Sequence, residues 1–262
     1  MSRFSKLELD AQTTPLTPEL AGTLGTAPRT ATDYLLSANA AARCGSFEES
    51  LQFYTRCLRE DRTRIPAWVG QVQMLIEMSE YQEAQLWASK ALELFKNNGD
   101  LWSAKAQALS RLNDPSVAAA ASDASIKSPG SSPYRWQIRG EIMLSQDTVN
   151  ARRCFEKSIV ESDADWFDRV RIATIYLYNH QPAAAMEWAQ AAVKLEPLHG
   201  YTYFTCGRCQ QELGFDEDAA TSYARALQLL PRLDAARERL AHIADQSRAS
   251  TVLRRFKGWF RK

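Results

Sequence analysis

Cys206 and Cys209 are the pair whose type and spacing come nearest to chemistry in this chain. A C-x2-C pair can hold two corners of a zinc tetrahedron, or cycle between dithiol and disulfide. Zinc would need two more ligands, and there is no second C-x2-C and no close histidine pair. His180, His199 and His242 are scattered, and His199 alone does not complete a site. Spacing also yields no Ser/His/Asp set and no paired carboxylates, so no catalytic residue, metal ligand or cofactor is nominated. Five cysteines without regular spacing make no disulfide framework, which points to a reducing cytoplasm. The pair therefore reads as two small buried side chains on one helix.

Binding chemistry is better represented. The last thirteen residues, STVLRRFKGWFRK, carry Arg254, Arg255, Lys257, Arg261 and Lys262 and no acid. Val252, Leu253, Phe256, Trp259 and Phe260 recur among them at helical spacing, the composition of an interfacial helix. Five cations at about 1 kcal/mol each supply ~5 kcal/mol on an anionic leaflet, submillimolar binding that needs aromatic insertion or clustering to help. Arg254, Arg255, Phe256, Lys257, Trp259 and Phe260 are thus candidate contacts for an anionic membrane or a partner, with packing back on the chain as the third reading. The total charge is only +1, so everything before this tail is net acidic, and no nucleic-acid partner is expected. No apolar run reaches about 18 residues, and MSRFSKLELD lacks the apolar stretch of a secretory signal. The expected location is the cytoplasm, or the inner face of a membrane if the tail anchors there.

Any such surface must be positioned by the elements before it, and these repeat. Tyr34, Trp68, Trp102 and Trp136 stand 34 residues apart. Four residues after each comes Ala38, Val72, Ala106 or Gly140, with Ala173 and Gly207 as later equivalents. Twelve residues further a second small residue recurs, at Ser50, Ala84, Ala118, Ala185 and Ala219; Ala151 follows Gly140 by eleven, one residue short. Each opens a pattern of i, i+4, i+7 along one helical face, such as Ala219-Tyr223-Ala226. Pro129, Pro197 and Pro231 then break the chain, since proline cannot continue a helix.

These residues resemble the tetratricopeptide repeat (TPR) family, whose motif is W-x2-L-G-x2-Y, then A-x3-F and a terminal proline. The sixth unit matches best, through Tyr203, Gly207, Gly214, Ala219, Tyr223, Ala226 and Pro231. The fifth departs, with Arg169 at the aromatic position and Trp166 and Phe167 displaced toward its start, and NDPS (Asn113–Ser116) replaces the usual turn of the third. The resemblance implies an all-α, right-handed TPR solenoid of about six helix-turn-helix repeats over residues 31–231, starting near 31, 65, 99, 133, 166 and 200. Residues 232–247, with Leu233, Ala236, Leu240, Ile243 and Ala244 on one face, read as a capping helix, and 248–262 as the basic amphipathic tail. Residues 1–30, rich in Thr, Pro, Gly and Ala without periodicity, read as a disordered arm.

The wedge aromatics Trp68, Trp102 and Trp136 are expected in the core. The resemblance places the binding groove on the first helices, five residues past each aromatic position: Asn39, Gln73, Gln107, Glu141, Thr174 and Arg208. Carboxamides at three successive units offer donor and acceptor alike, and could pair with the backbone of an extended peptide. Tyr134, Phe167, Tyr178, Tyr201 and Phe204 make the later groove more aromatic, the usual composition of a binding centre; some of these rings instead fill gaps between repeats. Asn39 fits the pattern of chaperone-binding TPR domains, but Leu35, Gln73, Ser103 and Gln107 occupy the neighbouring positions where those domains carry cations or asparagine, which argues against a carboxylate clamp of that kind. The expected function is a non-catalytic adaptor binding a peptide or protein segment, with no small-molecule substrate. A peripheral membrane-tethered assembly factor and a regulatory module of a separate enzyme are the alternatives.

Overall fold

The computed structural model describes residues 29–163 and 165–259, with side chains as far as Gln246. The described residues form thirteen α-helices and no strand. Six hairpins come first. Their outgoing helices are α1 (Ala31–Arg43), α3 (Ile65–Glu77), α5 (Gly99–Arg111), α7 (Pro133–Met143), α9 (Trp166–Tyr178) and α11 (Gly200–Glu212). The returning helices are α2 (Phe47–Glu60), α4 (Tyr81–Leu94), α6 (Pro115–Lys127), α8 (Thr148–Glu161), α10 (Pro182–Leu195) and α12 (Asp216–Leu229), and α13 (Asp234–Trp259) closes the series. They divide into two compact units: the first ends at Gly130, and the second starts at Ser131 and also takes in Arg43–Gly45.

One backbone device makes five of the six hairpins. The second residue after the outgoing helix takes a positive φ: Gly45 (75°), Ser79 (64°), Asn113 (62°), His180 (55°) and Gly214 (80°). The next amide then reaches back five residues, as in Ser46 to Ala41 O (3.0 Å), Glu80 to Leu75 O (2.8 Å) and Gln181 to Tyr176 O (2.9 Å). This is the 6→1 bond of a Schellman stop, which satisfies carbonyls the helix end leaves open. The fourth hairpin, one residue shorter, cannot do this. Asp147 N–H reaches only to Met143 O (2.8 Å), and the Asp147 side chain caps α8 by accepting from Asn150 N–H at 3.0 Å.

In the first unit the core is largely aliphatic and small: Val72, Leu75, Ala84, Ala88, Leu101, Ala106 and Ala118 are buried. Hydroxyls on the returning helices tie them to outgoing backbones, Ser50 Oγ donating to Ala38 O (2.8 Å) and Ser125 Oγ to Gly99 O (2.7 Å). Trp68 is 2% exposed, stacks near Trp87 (centroids 6.1 Å apart) and donates its indole N–H to Arg62 O at 2.9 Å. Trp102 makes the equivalent bond to Lys96 O (2.9 Å), but is only half-buried.

The expectation that all three tryptophans are core therefore holds for Trp68 alone. Trp136, in the second unit, is also half-buried, donating to Ser131 Oγ (3.1 Å) and Glu161 Oε1 (2.9 Å). Amines cover what neighbouring helices leave open, Lys105 Nζ lying 5.6 Å from the Trp102 centroid and Lys157 Nζ 3.6 Å from that of Trp136. A ring under an ammonium is shielded by an amphipathic stem and an electrostatic contact instead of by hydrocarbon.

The second unit packs rings against glycines. Phe155 from α8 faces Gly140 on α7, where an added Cβ would fall 2.5 Å from the ring. Tyr223 from α12 faces Gly207 on α11, with the corresponding gap at 2.6 Å. Where the returning helix carries Ala189 instead, the facing residue is Ala173, and both are buried. Volume is thus conserved across each hairpin, as dense cores require. Tyr223 Oη donates to Gln211 Oε1 (2.9 Å), which also accepts from Arg239 Nη1 (2.9 Å), so one carboxamide joins α11, α12 and α13. On α13, Leu233 just before it and Ala236 and Ile243 within it are buried, while Ala244, assigned to the same face, is exposed. The helix backbone runs through residue 248 without a break.

Candidate functional site

The outgoing helices of the second unit carry a run of rings and cations. Arg171 on α9 lies over two rings, 5.2 Å from the Tyr134 centroid and 5.6 Å from that of Phe167. Phe167 neighbours Trp166 (5.5 Å, edge to face) and Tyr201 (6.4 Å); Tyr201 stacks on Phe204 (5.6 Å); and Arg208 lies over Phe204 at 6.0 Å. Ring contacts of this kind add about 0.5–1.5 kcal/mol each beyond area burial. Five of the eight groove residues assigned to this unit from sequence are joined here.

Their accessibility differs. Tyr134, Tyr201 and Phe204 are 7%, 4% and 5% exposed, so they fill the space between successive outgoing helices. Glu141 is 4% exposed, within the fourth hairpin. The accessible residues are Phe167, Arg171, Thr174 and Tyr178, with Arg208 beside them. On α9 these four stand at i, i+4, i+7 and i+11, one face of the helix. Tyr178, at 43% exposed, is the most open. Eleven residues of helix span about 16 Å at ~1.5 Å per residue, the length of roughly five residues of extended chain at ~3.3 Å each.

In the first unit the carboxamides differ from one another. Asn39 is exposed, and its Oδ1 accepts from Tyr54 Oη at 2.7 Å. Gln73 is half-buried and Gln107 is 7% exposed. Three units thus present one open, one half-open and one buried carboxamide.

Sequence reading passed over Arg171 and gave His199 no role. Arg171 stands two residues after Arg169 at helical spacing from Phe167, a signal visible only once α9 is assigned its face. Arg169, at the wedge position, donates to Asp165 O (3.2 Å), and burial holds its pKa below the usual guanidinium range. His199 stacks on Trp166 (4.4 Å) and caps α11, Nδ1 accepting from Tyr201 N–H at 3.3 Å. Burial lowers its pKa, with Glu196 pulling the other way, so the neutral acceptor form is favoured. Cys206 and Cys209 are buried, and burial pushes both thiols up to about 12. At that pKa neither supplies thiolate near neutrality, which makes the pair inert as nucleophile or redox centre. Among the described residues no group of three His, Cys, Asp or Glu is arranged to hold a metal, and no helix is long and apolar enough to cross a membrane. Of the arm assigned to residues 1–30, residues 1–28 lie outside the described residues, as does Phe260; the tail side chains Arg254, Arg255, Phe256, Lys257 and Trp259 lie beyond the described side chains.

Six hairpins with this period and these stops define the chain as an all-α protein with the tetratricopeptide-repeat fold. Solved structures agree. The chain is similar to a tetratricopeptide repeat protein from Parabacteroides merdae ATCC 43184, at 16% identity and a TM-score of 0.51, over 82% of this chain and 84% of that one. It is similar to a monomeric IFIT1 mutant with Gppp-AAAA, at 13% identity and 0.54, over 76% of this chain and 50% of the other. For the APC/C hetero-tetramer Cut9-Hcn1 the values are 14% and 0.49, over 82% of this chain. The chain spans 43% of that last structure's chain. No protein-family model and no curated protein matches the sequence.

Proposed function

We propose that this chain is a non-catalytic adaptor that holds an extended protein segment against the α9 face of its second unit. The observation that carries the reading is the stripe Phe167, Arg171, Thr174 and Tyr178, accessible and backed by the buried rings of Tyr134, Tyr201 and Phe204. A rigid aromatic floor under a partly open, mixed apolar and cationic edge is the make-up of an interface centre, where Tyr and Arg dominate affinity. The rings are fixed by packing, so binding costs little side-chain ordering. Nothing in the stripe has the geometry of a nucleophile and its base, which suits recognition without turnover.

The test uses a client recovered by affinity purification and rebuilt with the purified chain. Thr174→Ala with Tyr178→Ala should weaken binding by about tenfold or more, the scale of losing an exposed tyrosine anchor, while thermal unfolding stays close to that of the parent. An unchanged dissociation constant would remove the α9 face from the reading.

A further inference from the structure

The adaptor reading leaves open what kind of segment the stripe takes, and two arginines bear on that. On adjacent outgoing helices, Arg171 lies over the rings of Tyr134 and Phe167 and Arg208 over that of Phe204. Among the described residues neither guanidinium donates a hydrogen bond or closes an ion pair. The nearby acid of α9 is otherwise engaged, Asp168 Oδ1 accepting from Gln137 Nε2 at 2.6 Å. Asp165 feels the charge of Arg171 without contact. A guanidinium has five N–H donors in a planar fork that matches a carboxylate, and stacking on a ring orients the fork without using any donor. Both groups are therefore oriented, partly accessible and unspent.

The surrounding charge points the same way. Outgoing helices α7, α9 and α11 hold Arg135, Arg139, Arg169, Arg171 and Arg208 against Glu141, Asp168 and Glu212. Returning helix α12 opens instead with Asp216, Glu217 and Asp218. Returning helix α8 is slightly basic as well (Arg152, Arg153 and Lys157 against Glu156 and Glu161), so the stripe lies in a weakly cationic surrounding, which favours an anionic partner. The excess is too small, and too mixed with carboxylates, for the continuous cationic track that a nucleic-acid backbone requires. Phe167 and Tyr178 at the ends of the stripe add apolar contact that phosphate alone would not use.

On the adaptor reading, we propose that the α9 face selects an acidic peptide segment, with Arg171 and Arg208 as its specificity-determining residues. Side-chain carboxylates of the segment receive bidentate hydrogen bonds from the two forks, and apolar residues between them lie on Phe167 and Tyr178. Charge-assisted pairs of this kind set which segment binds, in addition to how tightly.

The experiment selects binders to the full chain from a displayed library of random twelve-residue peptides. Representative winners, their Glu/Asp→Gln/Asn counterparts and a single-stranded RNA oligonucleotide are then titrated by fluorescence anisotropy. Selected peptides should be enriched in Asp and Glu, and should bind at least tenfold tighter than their neutralised counterparts. R171Q with R208Q should erase that preference while the protein still unfolds cooperatively, with a melting temperature lowered only by the lost ring contacts. R171K with R208K, which keeps charge but loses the fork, should fall between them and gives a second reading should the first pair perturb folding. Binders without acidic enrichment, or an acidic preference that survives R171Q with R208Q, overturn the assignment but leave the adaptor reading standing. Tighter binding of the RNA through the same arginines overturns it in favour of a nucleic-acid surface. A library that yields no binder removes the adaptor reading and this inference together.

Discussion

The two units use the same hairpin and fill it differently. In the first, small and aliphatic residues such as Val72, Ala88, Ala106 and Ala118 close the second and third hairpins, one ring (Tyr54) lies against Gly70 between hairpins, and the candidate groove positions carry the carboxamides Asn39, Gln73 and Gln107. In the second, glycines admit whole rings, Gly140 under Phe155 and Gly207 under Tyr223, and more rings run along the outgoing helices. A repeat fixes where helices go, but leaves the filling of each interface free. Cations lie over rings in both units, Lys90 over Trp87 and Lys105 over Trp102 in the first and Arg171 and Arg208 over outgoing-helix rings in the second, but only the second joins those rings into a run along successive outgoing helices. The contrast is the reason we propose recognition on α9 and not on the carboxamide row.

The largest effect separates the two kinds of tryptophan. Trp68→Ala should cost about 3–5 kcal/mol, the range for aromatic truncation in a core, while Trp102→Ala and Trp136→Ala should cost clearly less in urea unfolding. Equal losses would mean that an ammonium shields a ring as well as hydrocarbon does. Next, Gly140→Ala or Gly207→Ala should destabilise by about 1–3 kcal/mol through overpacking, and Phe155→Leu should recover part of the Gly140→Ala loss. Binding offers the direct comparison: Gln73→Ala with Gln107→Ala should leave client affinity nearly unchanged, where Thr174→Ala with Tyr178→Ala reduces it about tenfold. The reverse pattern would transfer recognition to the first unit.

A smaller effect concerns pH. His199 has its folded pKa below the unfolded value of about 6.5. The unfolded chain therefore binds more protons between those two values, and stability rises with pH across that window. Its contribution is complete above the unfolded pKa and lost as pH falls through the folded one. His199→Asn, which keeps a cap but does not titrate there, should flatten the melting temperature between pH 7.5 and 5.5. The smallest effect is at the turns. Ser79→Gly and His180→Gly should each stabilise by roughly 0.5–1 kcal/mol, since a left-handed backbone costs a non-glycine residue ~1–2 kcal/mol and glycine returns part of that as chain entropy. A loss on His180→Gly would assign that side chain a packing role.

Fold class was legible because a packing interface must recur wherever a hairpin recurs, and a single position reports it. The shortened fourth turn was legible too, as eleven residues between Gly140 and Ala151 instead of twelve. The site was legible only in outline. Counting past each aromatic reached Thr174 and Arg208, and composition reached Phe167 and Tyr178, but neither route separated them from Tyr134, Tyr201 and Phe204. Arg171 escaped because the count followed one position per helix, whereas its role comes from rings on α7 and α9 together.

By itself, then, the order of residues determined the all-α repeat class, the phase of its helices and the small residues that let the two helices of a hairpin approach. All of these depend on contacts between residues close in sequence, at the fixed period of a helix. Only the tertiary structure decided which rings are floor and which are surface, that Trp102 and Trp136 are shielded by amines, and that Arg171 and Arg208 lie over rings without a hydrogen bond to any described residue. Those outcomes depend on what neighbouring helices bring against each side chain, and burial of that kind is a property of the assembled layer.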